Sequence, residues 1–136
     1  INFGENRVQE ALLKWKNFTS NNPQLKLHLI GKLQSNKAKD AFEIFHYIHT
    51  LDNERLAQIF SKLESISTKK IKYFIQVNIG DERQKNGISI DKVNQFIKYC
   101  KNNNDDSYFF VQVDGKAGER EIKDMNNHID KFKNRI

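Results

Sequence analysis

Ile71-Lys72-Tyr73-Phe74-Ile75-Gln76-Val77-Asn78-Ile79-Gly80 is the stretch on which the fold class turns. Tyr73, Phe74, Ile75 and Val77 make the run apolar on both faces, as a strand buried inside a parallel sheet must be. Parallel neighbours are joined only by long crossovers, so such a strand demands helices on either side of it in the chain. Upstream, Leu56, Ile59, Phe60, Leu63 and Ile66 recur with the spacing of one helical face, and Val8, Ala11, Leu12, Trp15 and Phe18 repeat the same offsets. Ala38, Ala41, Phe42 and Phe45 predict a shorter helix. Val93, Phe96, Ile97 and Cys100 predict another, and Ile122, Met125, Ile129, Phe132 and Ile136 a last one. Leu25 to Ile30, Tyr47 to Leu51 and Tyr108 to Val113 read as further strands, and Ile1-Asn2-Phe3 as the tail of one more. Strand and helix alternate strictly, which predicts an α/β fold of about five βα units with a parallel sheet and helices packed outside it. Such a sheet closes into a barrel or stays open and doubly wound. A complete barrel takes about 250 residues, so length alone favours the open sheet.

Composition excludes several classes. Of the 136 residues, 38% are apolar and 29% charged, the balance of a soluble globular domain rather than a disordered chain. No stretch approaches the roughly 18 apolar residues of a membrane span. Glu5, Arg7 and Glu10 stand where a signal sequence would have its apolar core, so a cytoplasmic location is the default expectation. Cys100, the single cysteine, lies in phase with Val93, Phe96 and Ile97 and reads as a buried thiol. The net charge of +6 comes from 23 basic residues, 18 of them lysine, without an arginine cluster or a basic-aromatic stripe, so nucleic acid is an unlikely partner. The chain begins at Ile1 rather than Met, which suggests processing or truncation.

In parallel α/β folds, ligands bind where strands end and helices begin. Those junctions are rich in polar residues: Gly4-Glu5-Asn6-Arg7, Gly31-Lys32-Leu33-Gln34-Ser35-Asn36-Lys37, His49-Thr50-Leu51-Asp52 and Asn78-Ile79-Gly80, followed by Gln84-Lys85-Asn86-Gly87. Ser35 reads as the N-cap of the next helix. Lys37 would then lie in the first turn, where a cation opposes the helix dipole; either it is simply solvated or an anion binds nearby. Gly31 and Gly87 suit tight turns or close backbone approach. His28, His46, His49 and His128 show no metal-ligand spacing, and His46 and His49 would not face each other across a helix-to-strand junction. His28 is equally compatible with a hydrogen-bonded core position and a pocket wall. No Ser, His and Asp constellation is identifiable.

Four ordered runs carry a specific resemblance: FGENRVQEALLKW over 3–15, HLIGKLQSNKAK over 28–39, HTLDNERLA over 49–57 and QVNIGDERQKNGI over 76–88. Together they resemble the pyridoxal 5'-phosphate (PLP) homeostasis family, whose members are similar to the N-terminal barrel of alanine racemase. The match is strongest over 3–88 and fades after about Asn104, leaving 105–136 divergent. The resemblance implies a partial (β/α)8 TIM barrel of the alanine racemase N-terminal type, with residues 1–136 an incomplete piece of that single domain. It implies PLP bound at the C-terminal strand ends and a role in intracellular PLP homeostasis without catalytic turnover. The partners implied are PLP and the apoenzymes that depend on it. The family's cofactor-linking lysine lies upstream of FGEN, and its phosphate-binding motifs lie further downstream. This chain carries neither.

By the same resemblance, Asn6 is expected to contact the cofactor directly. His28, Gln34, Asn36, Lys37, Thr50 and Asn78 are expected to line the mouth of the site, with Lys85 approaching from a loop. An alanine-racemase-type enzyme is the alternative, and would need a second domain and a catalytic tyrosine; a basic RNA-binding α/β module is a third. About five of eight strands would leave two sheet edges open, so the isolated chain is expected to self-associate.

Overall fold

The computed structural model describes residues 1–78, 87–103 and 108–114. Strands β1 (Asn2–Glu5), β2 (Lys26–Leu29), β3 (Tyr47–Leu51), β4 (Lys72–Asn78), β5 (Ile88–Ser89) and β6 (Tyr108–Asp114) alternate with helices α1 (Val8–Asn21), α2 (Ala38–Ile44), α3 (Glu54–Ser65) and α4 (Val93–Asn103). Short 3-10 turns over Ser35–Lys37 and Ile90–Lys92 precede α2 and α4. The predicted helix from Ile122 to Ile136 lies outside the described residues, as does Lys85.

All strand pairings are parallel, in the order β1-β2-β3-β4, with β6 on the other edge of β4 in unbroken register from Lys72 beside Tyr108 to Asn78 beside Asp114. The two-residue β5 pairs with Val77 and Asn78, so it continues the edge that β3 uses lower down. Apart from the two-residue β5, spatial order thus follows chain order. A doubly wound sheet reverses direction at a switch point, whereas a barrel winds one way around; the described strands form an arc of the second kind. The preference that length suggested is overturned by the strand order.

Chain order also puts the helices side by side on one face, α1 against α2, α2 against α3 and α3 against α4. Leu27, Leu29, Ile48, Tyr73, Ile75 and Val77 point at them and join Ala11, Phe42, Leu56, Phe60, Val93 and Ile97 in one buried core. The opposite, concave face carries His28, Tyr47, His49 and Phe74, all half-buried. Helix α3 starts where Asn53 accepts a hydrogen bond from Leu56 N at 3.0 Å. Near its C-terminus the buried Glu64 accepts from Ile71 N and from the Tyr73 hydroxyl, both at 3.0 Å, and so pins the helix to the start of β4. The acidic neighbour and burial push the Tyr73 hydroxyl's pKa upward, with burial the larger cause.

Three expectations are corrected. Ile66 is exposed because α3 ends at Ser65, and the residue beyond the last turn leaves the helical face. Phe18 is exposed because the 14-residue α1 outruns the four-residue β1 beneath it, and its ring meets the edge of Trp15. Ser35 is not a side-chain cap: it opens the 3-10 turn closed by Lys37 N donating to Gln34 O, and Lys37 itself occupies the N-cap position of α2.

Candidate functional site at the C-terminal strand ends

The first two strand-to-helix loops are built against each other. Ile30 N donates to Glu5 O at 2.9 Å, which extends the β1–β2 ladder past its last paired residues. Gly31 then lies on the Asn6 backbone so closely that an added Cβ would sit 2.8 Å from the Asn6 carbonyl carbon and closer still to its oxygen. From below, Thr50 Oγ1 donates to Gly31 O at 3.0 Å. The two loops enclose a cleft of about 450 Å³ lined by Asn6, Arg7, Glu10, Lys32, Gln34 and Lys37 among others. Glu10 pairs with Arg7 at 3.4 Å, leaving Lys32 and Lys37 to give the cleft a positive balance. The Lys37 cation opposes the dipole of α2, and Asp40 in the first turn offsets it.

A second polar cluster occupies the concave face. His28 Nε2 lies 2.9 Å from Asn2 Oδ1, and His28 Nδ1 lies 2.9 Å from His49 Nε2. An amide oxygen only accepts, so His28 Nε2 carries the hydrogen, His28 Nδ1 is the acceptor, and His49 Nε2–H is the donor. Tyr47 stacks on His28 at 4.0 Å, Phe74 on His49 at 4.2 Å, and Phe110 on Phe74 at 5.1 Å. Burial and then the neighbouring His49 hold the His28 pKa below its ordinary value. Across this face the two histidines do meet. On the neighbouring edge, His46 Nδ1 accepts from Leu27 N at 3.1 Å.

The predicted site residues therefore divide. Asn6, Gln34 and Lys37 converge on the loop cleft. His28 belongs to the concave face, and Asn78 ends β4, half-buried, beside Gly87. Gly87 has φ +118° and donates its N–H to Asp52 Oδ2 at 3.2 Å, so glycine is needed there on both conformational and steric grounds. Asn36 is exposed, and Thr50 is buried beneath the cleft rather than lining it. Glu5 escaped the sequence reading. Its carboxylate accepts from Trp15 Nε1 at 2.5 Å and from Lys14 at 3.1 Å, and the Trp15 hydrogen bond foremost pulls its pKa down. The signal was its alternation with Phe3, which also faces Trp15, at 4.8 Å between rings.

No protein-family model matches the chain. The pyridoxal phosphate homeostasis protein of Vibrio cholerae serotype O1 is 42% identical over 88 residues, which make up 63% of this chain and 37% of that protein. PipY of Synechococcus elongatus PCC7942, solved with PLP bound, matches with a TM-score of 0.71 at 26% identity, over 95% of this chain and 64% of PipY. Alanine racemase of Clostridium difficile 630, at 14% identity, matches with a TM-score of 0.66 over 96% of this chain and 35% of the enzyme, a likeness of fold. The chain spans well under half the length of the curated relative it matches. Over the matched residues the chain is homologous in sequence to the pyridoxal phosphate homeostasis proteins, and its parallel α/β sheet is similar in fold to PipY and alanine racemase.

Proposed function

We propose that this chain is part of a single PLP-binding barrel domain that serves intracellular PLP homeostasis without turning over a substrate. The observation that carries the reading is PipY, a relative with PLP bound that shares the architecture over 95% of this chain. The strand-end residues fit such a ligand. The cofactor is anionic and carries polar ring substituents, and the cleft offers the cations Lys32 and Lys37 together with the amides of Asn6 and Gln34. Its volume of about 450 Å³ lies within the roughly 300–1,000 Å³ of small-molecule sites.

When bound, PLP supplies a reactive aldehyde and an electron-accepting ring. The part of this chain is to hold and orient it. Lys37 and Lys32 meet its negative charge, and Asn6 directs an amide at the ring substituents. Gln34 flanks that contact, His28 and Asn78 bound the site from the concave face and the end of β4, and Asn36 approaches from the turn before α2. Recipients on this reading are PLP-dependent apoenzymes in the cytoplasm. The exposed Ile30 and Phe110 on the concave face are what self-association would cover.

Equilibrium dialysis of the complete gene product against PLP, with absorbance of the retained cofactor, tests the reading and should show saturation of a single site. Asn6→Ala should weaken retention about fivefold, the equivalent of one hydrogen bond of about 1 kcal/mol, with the melting midpoint unchanged. Absence of saturable binding would sink the proposal, and racemisation of alanine by the same protein would transfer it to the enzyme class.

A further inference from the structure

We infer that Thr50 and Gly31 are positioning residues that hold Asn6 in place through a backbone relay, Thr50 to Gly31 to Asn6, spanning three successive βα units. The inference rests on the reading of Asn6 as a cofactor contact and reassigns Thr50 from that role. Asn6 is exposed in the short connection between Glu5 and the first residue of α1, and α1 has no side-chain cap at Arg7 to fix that connection from its own end. The neighbouring loop fixes it from outside. Ile30 N holds the Glu5 carbonyl, and Gly31, the next residue, fills the space directly against the Asn6 carbonyl. Gly31 is in turn held by the hydroxyl of Thr50, which is 5% exposed.

Position in the strand explains why Thr50 can do this. β3 shifts register against β4 between Ile48 and Leu51, and such an irregularity re-aims the side chain within it. Thr50 is buried there and reaches the β2–α2 loop 19 residues earlier in the chain. A buried hydroxyl on a backbone carbonyl has a defined geometry, and a glycine packed on a backbone carbonyl has no slack. Displacement at either residue is therefore passed to Asn6 rather than absorbed.

The test is a double-mutant cycle on the complete gene product, with PLP dissociation constants, melting midpoints and ligand-free amide NMR shifts measured together. Thr50→Val should weaken PLP binding about fivefold, the loss expected for one misplaced hydrogen bond, and Thr50→Ser should restore it. In an Asn6→Ala background the Thr50→Val effect should vanish, because the residue it positions is gone. Gly31→Ala should weaken binding at least as much. Without ligand, the Asn6 and Arg7 amide signals should move in Thr50→Val and return in Thr50→Ser.

A Thr50→Val effect undiminished by Asn6→Ala would mean that Thr50 acts on the ligand itself, and would overturn the relay. Unmoved Asn6 signals in the ligand-free protein would overturn it whether or not PLP binds, whereas moved signals with no PLP binding by the unmutated protein would overturn only the cofactor reading. If Thr50→Val does not fold, Gly31→Ala carries the same comparisons. Failure of both to fold would refute a perturbation confined to the loops.

Discussion

Replacing Glu64 with alanine should be among the most damaging single changes in the described residues. Glu64 is 2% exposed, and one carboxylate oxygen accepts from both Ile71 N and the Tyr73 hydroxyl at 3.0 Å while Lys70 stands 3.8 Å from the other. Alanine deprives two buried donors of this acceptor. Each buried polar group left without its partner costs about 1–3 kcal/mol, so the two stranded donors together cost about 4 kcal/mol. That compares with a total of roughly 5–15 kcal/mol for a typical domain. Urea unfolding followed by circular dichroism would read this as a large fall in midpoint at unchanged slope. Glu64→Gln, which keeps an acceptor oxygen, should lose about half as much. Adding Tyr73→Phe to Glu64→Ala should recover about 1 kcal/mol by removing one stranded donor. A loss below about 1 kcal/mol in Glu64→Ala would show that water or a rearranged neighbour replaces the carboxylate at little cost, and would refute the clamp between α3 and β4.

Two further perturbations follow from buried titratable groups. His46 is held down to about 4 from its ordinary 6.5, by burial first and then by Lys69, Lys26 and His28. Between those values the unfolded chain binds more protons, so stability is full above about 6.5 and is lost as pH falls towards 4. Because the ring is only half-buried, the loss should be on the order of 1 kcal/mol; a melting-midpoint difference between pH 7 and 4.5 that is the same in His46→Gln would refute it. The Cys100 thiol is pushed up to about 12 by burial, with Glu54 adding to it, so the folded protein at pH 8 should resist a disulfide reagent that labels it fully in denaturant. Rapid labelling of the native protein would place Cys100 outside the core.

Much of the fold was legible because alternation and helical spacing are local signals. The two-sided apolarity of Tyr73 to Val77 correctly announced a central parallel strand, and β4 has β3 on one edge and β6 on the other. Errors fell where a local pattern ran past the end of its element, as at Phe18 and Ile66. Ser35 failed differently, since a 3-10 turn competed for the helix start. The His28–His49 contact was not legible, because it joins residues 21 apart that meet only once β2 and β3 take their register. His28 pairs with Tyr47, and His49, two residues on, becomes its diagonal neighbour on the concave face. Thr50 was recognisable as a polar strand-end residue, but nothing in the sequence told that its hydroxyl turns down towards Gly31 instead of out towards a ligand.

The singly wound order explains why the candidate site is assembled loop upon loop. Parallel strands bring every strand-to-helix loop to the same edge of the sheet, and winding one way sets each beside the loop of the next strand, where neighbouring loops brace one another. The end of β3 does this twice. On one side Thr50 donates to Gly31 O, and Gly31 lies against the Asn6 backbone. On the other, Asp52 accepts from Gly87 N, and a Cβ on Gly87 would come within 3.0 Å of Asn78 N. The two strand-end asparagines that the sequence singled out, Asn6 and Asn78, are thus each backed by a glycine, and both glycines are tied to the same strand terminus two residues apart. A side chain at either glycine would press directly on the asparagine backbone. The spacing of these two asparagines across the mouth of the arc is therefore a property of β3, although β3 itself need supply no ligand contact.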